Sequence, residues 1–276
     1  MSVTPAKARL APMLSILGEK QRLLLQGLTG PDALVVFDFD GTLAPLVADR
    51  DNAVMRPATA ALFQQVCATY RCAIITGRAI ADVQARLAGA TVISIIGNHG
   101  MEPALGLDAS VSDVRELLPQ LVAKFSAEPM FEIEDKTYSL TIHYRRHAFR
   151  QKARALVLRA VEQLAPQMRV VEGKCVVNLL PLTAPHKGDA LAALRRTYAA
   201  TVTLFVGDDV TDEDVFELPA DPDLITVRVG QRKNTAARYF LRNQREIDSL
   251  LRRMLVLRTL EPTHENLPSG AQSVDT

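Results

Sequence analysis

The chain has 276 residues, and its 32 Lys and Arg against 31 Asp and Glu leave a formal charge of +1. This near-equality of positive and negative charges argues against a dedicated nucleic-acid binder. A hydrophobic content of 48% is typical of a folded protein. The longest apolar runs are much shorter than the ~20 residues that cross a bilayer. We find no export signal, and the three cysteines lack metal-ligand or redox spacing. We therefore expect a cytoplasmic protein that acts on neither nucleic acid nor membrane.

The first part of the chain has the pattern of repeated β-α units. Residues 1–30 are expected to form a peripheral helix. From residue 31, short β-branched runs alternate with helical stretches, which is typical of a parallel sheet covered by helices. The predicted elements are a strand at 34–37, a helix at 57–70, a strand at 72–75, a helix at 79–88 and a strand at 92–96.

A different pattern occupies residues 104–178. Its strands alternate apolar and polar residues with a period of two, which is typical of an antiparallel sheet with one wet face. We interpret this part as a second, inserted α+β domain that forms a cap. The predicted elements are a helix at 112–125, strands at 131–134 and 138–144, a basic helix at 148–164, and strands at 169–171 and 174–177.

The β-α pattern then resumes, so the core is split in sequence into 31–103 and 179–258. Residues 259–276 are rich in Pro, Ser, Gly and Asn and are expected to be a disordered tail. The predicted elements are a helix at 188–198, a strand at 202–206, a helix after Thr211, a strand at 224–229, and helices at 234–242 and 246–256.

Two carboxylates, Asp38 and Asp40, directly follow the first predicted strand. Two residues apart at the end of a parallel strand, they can point into the same crevice. They repel each other unless a cation or a proton lies between them. Mg²⁺, which prefers oxygen ligands, meets that need and leaves one carboxylate oxygen free to attack. The alternative is a plain turn, because Asp and Gly are turn residues.

Three further features complete the pattern. Thr76 and Gly77 end the second predicted strand, where a hydroxyl and backbone N–H groups suit a phosphoryl oxygen or a simple helix cap. Lys187 precedes a helix and could neutralise a phosphoryl group or be a surface lysine. The segment 207–213 holds four acids in six residues, which a bound cation explains better than a helix dipole does. The order of these features favours a joint interpretation as a phosphoryl-transfer site.

The features resemble the haloacid dehalogenase superfamily of phosphohydrolases, whose four motifs match 38–42, Thr76, Lys187 and 207–209. Further matches narrow the resemblance to the trehalose-phosphate phosphatases. They lie at 40–45, 97–102, 134–136, 143–145, 173–177 and 207–213. The resemblance implies an α/β fold, in which a Rossmann-like parallel sheet carries an inserted cap.

The resemblance also implies a role for each matched residue. Asp38 would attack phosphorus and be transiently phosphorylated, while Asp40 would protonate the departing sugar oxygen and then activate water. The implied ligands of Mg²⁺ are Asp38, Asp40 through its backbone carbonyl, Asp208, and either Asp209 or Asp212 in support. The implied phosphate ligands are Thr76, Gly77 and Lys187.

Sugar hydroxyls need hydrogen-bond donors and acceptors, which the resemblance places on the cap and the core rim. For His143 and Arg145 the alternative is that they only line the wet face of a strand, since they lie on the same side of it. The implied sugar contacts are Arg78, His99, Glu102, Lys136, His143, Tyr144 and Arg145.

Two positions depart from the family pattern. After 173–177 the family typically has a glutamate and, two residues later, a basic residue, whereas this chain has Asn178 and Leu180. An amide has one acceptor oxygen and two donor hydrogens, so Asn178 cannot accept two sugar hydroxyls as a carboxylate does. We expect Asn178 to lie at the sugar, and the expected substrate is trehalose 6-phosphate. The alternative is another phosphorylated glycoside, such as glucosylglycerol phosphate.

The resemblance thus implies a Mg²⁺-dependent phosphatase of a small sugar phosphate in trehalose biosynthesis, with possible coupling to a trehalose-phosphate synthase. A non-catalytic phosphoacceptor or sugar-phosphate sensor is the alternative, because receiver-like α/β domains also hold acids around Mg²⁺. The second acid, Asp40, and the inserted cap favour hydrolysis.

Overall fold

The computed structural model describes residues 13–47, 49–103, 108–173 and 175–259. The first elements are β1 (Leu14–Ser15), α1 (Arg22–Gln26), β2 (Ala33–Phe37), α2 (Pro57–Thr69), β3 (Arg71–Ile75), α3 (Ile80–Ala85) and β4 (Ser94–Ile96). The middle elements are α4 (Asp108–Phe125), β5 (Glu132–Asp135), β6 (Leu140–His143), α5 (Arg150–Leu164), β7 (Met168–Gly173) and β8 (Val176–Pro181). The last elements are α6 (Lys187–Thr197), β9 (Val202–Gly207), α7 (Glu213–Phe216), β10 (Leu224–Val229), β11 (Tyr239–Leu241) and α8 (Ile247–Thr259).

Seven strands form a parallel sheet in the order β1-β11-β10-β9-β2-β3-β4. Side chains of α2 and α8 pack on one face of this sheet, and those of α6 and α7 pack on the other. Because both faces are covered, all five residues of β2 are buried and apolar. Strand β2 lies between β3 and β9, so the strand order reverses there. Open α/β sheets bind ligands at such a point, beyond the carboxyl ends of the strands.

Four antiparallel strands, in the order β5-β6-β8-β7, form a second sheet with α4 and α5 packed on one face. Leu140 and Ile142 of β6 point into that apolar layer, so Thr141 between them lies on the opposite face. The opposite face also carries Leu180 of β8, which packs in a small apolar cluster with Met101 after β4. This face of the second sheet is therefore turned toward the parallel sheet.

Most predicted strands and helices are present with shifted ends, but the helix predicted at 234–242 is wrong. Residues 239–241 instead form β11, in which Phe240 pairs with Arg228 of β10. A strand of three residues is too short to show a period of two. Its backbone hydrogen bonds come from a neighbour that only the tertiary fold supplies.

The peripheral helix predicted at 1–30 is also wrong in the part that the structure describes. Leu14–Ser15 form β1, which pairs with β11 at the edge of the parallel sheet, and α1 has only five residues. Strand β8 runs past the predicted cap end at 178 to Pro181. The predicted tail from residue 260 onward, residues 1–12, the cap residues 104–107 and Lys174 lie outside the described residues.

Within the described ranges, none of the helices has both the length and the hydropathy that a membrane span requires.

Candidate active site

Three strand ends converge at the carboxyl edge of the parallel sheet. Asp38 follows β2, Thr76 follows β3 and Asp208 follows β9. The N–H of Asp38 donates to the carbonyl of Val206 at 2.8 Å, and the N–H of Thr76 donates to that of Ile96 at 2.9 Å. Both residues therefore extend the strand pairing. Their backbones lie near each other because β2 pairs with β3, with Phe37 opposite Ile74.

Lys187 opens α6 and contacts two carboxylates. Its Nζ donates to Asp38 Oδ1 at 2.8 Å and to Asp212 Oδ1 at 2.7 Å. The start of the helix is fixed by a capping box, in which the side chains of His186 and Asp189 each accept the other's backbone N–H. Burial alone lowers the pKa of Lys187, but the two carboxylates raise the pKa above its ordinary value. Lys187 is thus a buried cation beside Asp38 and not a surface lysine.

The acids around this lysine exceed its charge. Burial raises the pKa of the Asp38 carboxyl to about 8; Lys187 opposes the rise and Asp212 adds to it. Burial and the neighbouring carboxylates also raise the pKa of Asp208 well above its ordinary value. The three acids share one ammonium group, so the cluster favours either added protons or an added cation.

A divalent cation fits the geometry of this cluster. Asp38, Asp208 and Asp212 each offer a carboxylate oxygen, and these oxygens lie within 4.8 Å of one another. Asp208 Oδ1 is buried and has no hydrogen-bond partner among the described residues, which is costly unless a ligand satisfies it. Carboxylate oxygens are the ligands that Mg²⁺ and Ca²⁺ take. Asp209, an expected ligand, is outside this group, and its N–H donates to Asp212 Oδ2 at 2.8 Å.

Arg78, an expected sugar contact, binds Asp40. Its Nε and Nη2 donate to the two oxygens of Asp40 at 2.6 and 2.7 Å, and Nη1 donates to Asp82 at 2.6 Å. Although burial lowers the pKa of Arg78, its bonds with these acids raise the pKa above the ordinary value. The arginine side chain is only 2% exposed, whereas that of Asp40 is 32% exposed. Asp40 is therefore held from one side and open on the other.

Two glycines let neighbouring groups approach the site. A Cβ on Gly41, whose φ is +85°, would lie 2.1 Å from Asp208 Oδ2. A Cβ on Gly77, an expected phosphate ligand, would lie 2.4 Å from the ring of His99. The loop after β2 thus contacts the acid after β9, and His99 packs directly on the loop after β3.

Thr76 and Glu102 both make local contacts. Thr76 Oγ1 accepts the N–H of Arg78 at 3.2 Å, a turn contact that leaves its own O–H free to rotate. Glu102 Oε2 accepts the N–H of Ile80, the first residue of α3, at 2.8 Å, and the amide of Asn98 at 3.2 Å. The contacts of Glu102 explain its position as a cap of α3 without a sugar.

Two of the expected sugar contacts in the inserted part reach the core. Lys136 Nζ donates to the carbonyl of Gly77 at 3.0 Å, and Arg145 Nη1 donates to the carbonyl of Val47 at 2.9 Å. Lys136 thereby joins the rim of the site beside Thr76. Arg145 contacts the loop that follows Asp40, so it does more than line the wet face of a strand.

Other expected sugar contacts are engaged inside the second sheet. His143 Nε2 lies 2.9 Å from Glu134 Oε2 on the adjacent strand. Asn178 Oδ1 accepts the hydroxyl of Thr141 at 2.8 Å, and its Nδ2 donates to the carbonyl of Val171 at 3.3 Å. Tyr144, in contrast, belongs to the apolar layer between this sheet and its helices, which corrects its expected place at the sugar.

Comparison with known proteins agrees with this geometry. The model of the family described as Trehalose-phosphatase matches residues 36–245. The chain belongs to the trehalose-phosphatase family. A Trehalose-phosphate phosphatase from Mycobacterium ulcerans is 33% identical over 206 residues, which are 69% of this chain and 52% of that protein. The chain therefore spans about half the length of this curated relative.

Solved structures show the same fold. The C. albicans Trehalose-6-phosphate phosphatase C-terminal domain aligns with a TM-score of 0.69 at 20% identity, covering 91% of this chain and 99% of that one. A haloacid dehalogenase-like hydrolase from Bacteroides thetaiotaomicron aligns with a TM-score of 0.55 at 14% identity, covering 80% and 99%. The predicted fold class is confirmed: an α/β, haloacid dehalogenase-like parallel core with a cap.

The structure explains why this member of the trehalose-phosphatase family differs from the expected family pattern at one position. Leu180 is fully buried and packs with Met101 and Ala184. A basic side chain would lose its hydration in this apolar contact. The basic residue that the family pattern predicts at position 180 would therefore be unfavourable in this apolar contact.

Sequence reasoning missed Arg228. Its side chain is buried and donates to the backbone carbonyls of Asp208 and Asp209. A signal was present, because Arg228 is a lone charge in the apolar strand Leu224–Val229. A charge within a buried strand indicates a partner, although the sequence does not identify that partner.

Proposed function

We propose that this protein is a Mg²⁺-dependent phosphatase that hydrolyses trehalose 6-phosphate to trehalose and phosphate in trehalose biosynthesis. The observation that carries the proposal is the buried contact of Asp38 with Lys187 among further acids, two residues before a half-exposed Asp40. A nucleophile, a fixed cation and a second carboxylate are the groups that phosphoryl transfer through a covalent intermediate needs.

In the proposed first step, Asp38 Oδ2 attacks phosphorus while the bond from phosphorus to the sugar oxygen breaks and Asp40 donates a proton to that oxygen. In the second step, Asp40 takes a proton from water, and the water oxygen attacks the same phosphorus and frees the Asp38 carboxylate. Lys187, the Thr76 hydroxyl and the Gly77 N–H would hold the phosphoryl oxygens and stabilise their negative charge.

Arg78 has a positioning role in this scheme. Its two bonds suit the charged carboxylate of Asp40, the form that takes a proton from water. In the first step, one oxygen of Asp40 must carry a proton and can then no longer accept from Arg78 in the same way. We therefore expect one of the two bonds between Arg78 and Asp40 to break when substrate binds.

The metal would be held by Asp38, Asp208 and Asp212, with the Asp40 carbonyl and Asp209 as further predicted ligands. Bound there, Mg²⁺ would neutralise the acids and the charge on the phosphoryl group. The buried Oδ1 of Asp208, which has no hydrogen-bond partner among the described residues, supports this metal site.

We further propose that residues 104–178 act as a cap that closes over the sugar and excludes water. Lys136 supports this role best, because it already contacts the carbonyl of Gly77. His99 and Glu102 would form the wall of the sugar pocket, while His143, Arg145 and Asn178 would face the sugar after small changes in their present contacts.

The alternative substrate, another phosphorylated glycoside such as glucosylglycerol phosphate, is favoured by Asn178 and Leu180. The hydrogen bonds of Asn178 to Thr141 and Val171 already occupy much of its amide. Phosphate release from trehalose 6-phosphate, glucosylglycerol phosphate and glucose 6-phosphate, each with Mg²⁺ and with EDTA, tests both the substrate and the metal dependence. We expect turnover of trehalose 6-phosphate that EDTA abolishes. Turnover of a different ester alone would contradict trehalose 6-phosphate as the substrate. Turnover that EDTA leaves unchanged would contradict the proposed metal dependence.

The isosteric variant Asp38→Asn tests the covalent step. We expect kcat to fall by at least about a thousandfold, because an amide is a poor nucleophile. Retention of the melting temperature without metal would serve as the folding control, since burial already favours the uncharged form of Asp38. Parent-like turnover contradicts the mechanism, whereas one stable phosphorylation event without turnover in the parent would support a sensor.

Cysteine usage and the family resemblance support two further proposals, a cytoplasmic location and functional coupling to a trehalose-phosphate synthase. Co-purification with a synthase, or its absence, would test the second proposal.

A further inference from the structure

Arg228 in β10 is buried behind the acidic loop at 208–213 and belongs to none of the motifs that define the family resemblance. We propose that Arg228 is a positioning residue that sets the geometry of this loop and, through it, the affinity of the cation site. The inference rests on the proposed function for the identity of the cation.

The terminal nitrogens of Arg228 are directed at the loop. Nη1 donates to the carbonyl of Asp209 at 3.2 Å and to Oε1 of Glu213 at 2.7 Å. Nη2 donates to the carbonyl of Asp208. The strand register explains this reach, because Arg228 pairs with Gly207, the last residue of β9 before the loop.

The peptide between Asp208 and Asp209 is therefore held from both sides. Its carbonyl accepts from Arg228. Its N–H points the opposite way in a trans peptide and donates to Oδ2 of Asp212 at 2.8 Å. The orientation of this one peptide thus determines where Asp212 lies relative to Asp208, and both carboxylates belong to the cation site.

The constraint continues to the proposed nucleophile. Asp212 Oδ1 accepts from Lys187 at 2.7 Å, and Lys187 donates to Asp38 at 2.8 Å. Lys187 and Asp212 are 1% and 0% exposed, so breaking these bonds would leave buried charges unpaired. A rotation of the 208–209 peptide would therefore displace all three carboxylates of the cation site.

Glu213 fixes Arg228 in turn. Its Oε1 accepts from Arg228. Its Oε2 accepts at 2.9 Å from the N–H of Ala236, a residue in the segment between β10 and β11. A planar guanidinium can donate hydrogen bonds to two carbonyls and a carboxylate at once, whereas a lysine side chain has a single nitrogen. Arg228→Lys therefore keeps the charge but loses the fork.

The test is a Mn²⁺ titration of the full chain without substrate, followed by electron paramagnetic resonance. The variants are Arg228→Lys and the double variant Arg228→Met with Glu213→Gln, which leaves no buried carboxylate unpaired. We expect both to bind Mn²⁺ about ten to a hundred times more weakly than the parent, as is typical when the groups that orient metal ligands are lost. Half-saturation of activity by Mg²⁺ should shift likewise, while KM at saturating Mg²⁺ stays within about twofold.

Arg56 provides the matched control. It also makes a two-point pair, with Asp248 at 3.0 Å for both contacts, where α2 meets α8. Arg56→Lys should lower the melting temperature and leave the Mn²⁺ titration unchanged.

Arg228 variants that keep the parent's circular dichroism and bind Mn²⁺ as tightly as the parent overturn the inference. If the double variant does not fold, Arg228→Lys decides by the same criterion. A parent that binds Mn²⁺ but releases no phosphate contradicts the proposed function, and weaker binding by the variants would still support the positioning role. A parent that binds no Mn²⁺ contradicts both.

Discussion

The Arg78 guanidinium uses all three of its nitrogens, two on Asp40 and one on Asp82. Asp82 in turn accepts from Arg86 at 2.7 Å. Asp40 therefore lies at the end of a row of alternating charges, and the buried position of Arg78 strengthens each bond. This row orients the second carboxylate of the site before any substrate arrives.

Arg78→Lys tests this orientation at the scale of a single residue. Lysine keeps the charge but cannot bind both oxygens of Asp40 and also Asp82. We expect kcat to fall about tenfold or more, with Mn²⁺ affinity unchanged, because Asp40 acts in proton transfer and its carboxylate is outside the acid cluster. The measurement is steady-state phosphate release. Arg86→Lys is the control, because Arg86 donates to Asp82 and to the carbonyls of Asp51 and Ala53. An equal loss in both variants would argue against a direct role of Arg78 on Asp40.

At the scale of elements, the loops after β2 and β9 meet because Gly41 has no side chain. Its φ of +85° is unfavourable for other residues, and Asp208 fills the space that a Cβ would need. Backbone shape and carboxylate position are thus coupled at this contact. A change in the backbone of one loop should therefore shift the other loop.

Gly41→Ala should therefore destabilise the protein and weaken the cation site together. The left-handed conformation alone costs about 1–2 kcal/mol for a residue with a Cβ, and displacement of Asp208 adds to that cost. Thermal unfolding and Mn²⁺ titration measure the two effects. Gly30→Ala is the control, because its Cβ would have no neighbour within 4 Å. Unchanged Mn²⁺ binding in Gly41→Ala would show that the loops are not coupled.

At the scale of the whole molecule, the second sheet, β5-β6-β8-β7, turns one face toward the carboxyl edge of the parallel sheet. The contacts across this boundary include an apolar cluster around Met101 and Leu180 and the bonds from Lys136 and Arg145 to core carbonyls. The bonds of Lys136 and Arg145 are only partly buried, which is compatible with the opening and closing that we propose for this part.

Lys136→Met tests whether the cap selects the sugar. We expect KM for trehalose 6-phosphate to rise about tenfold, because a contact at the closed cap is lost, while kcat/KM for p-nitrophenyl phosphate stays within about twofold. The measurement is initial rates for both esters. Lys124→Met, on the exposed side of α4, should change neither rate. An equal effect on both esters would mean that Lys136 acts on the phosphoryl site instead.

The acid cluster also makes the stability of the molecule depend on pH. The pKa of Asp38 rises from 3.8 to about 8 on burial, so between these values the folded protein holds a proton that the unfolded chain has lost. This group therefore lowers the free energy of unfolding as pH rises from about 4 to about 8. Because Mg²⁺ replaces that proton, the increase in Tm caused by Mg²⁺ over EDTA should grow across this range. A constant increase in Tm at every pH contradicts the prediction.

The strands that are buried along their whole length, and the acids and the hydroxyl that follow them, could be predicted from the sequence. The reason is that burial on both faces leaves a continuous apolar run, and the polar residue that ends such a run marks the carboxyl edge of the sheet. Asp38, Thr76 and Asp208 could therefore be predicted to meet, whereas Lys187, which precedes a helix, could be added only from the order of the motifs.

Which groups pair with one another depends on the packing of the folded chain. Arg78 binds Asp40, Arg228 binds the loop at 208–209, and β11 forms where a helix was expected. Each of these features depends on a partner that is distant in sequence and is brought near by packing of the sheet. Local periodicity reports which face of an element is buried, but it carries no information about the partner that covers that face.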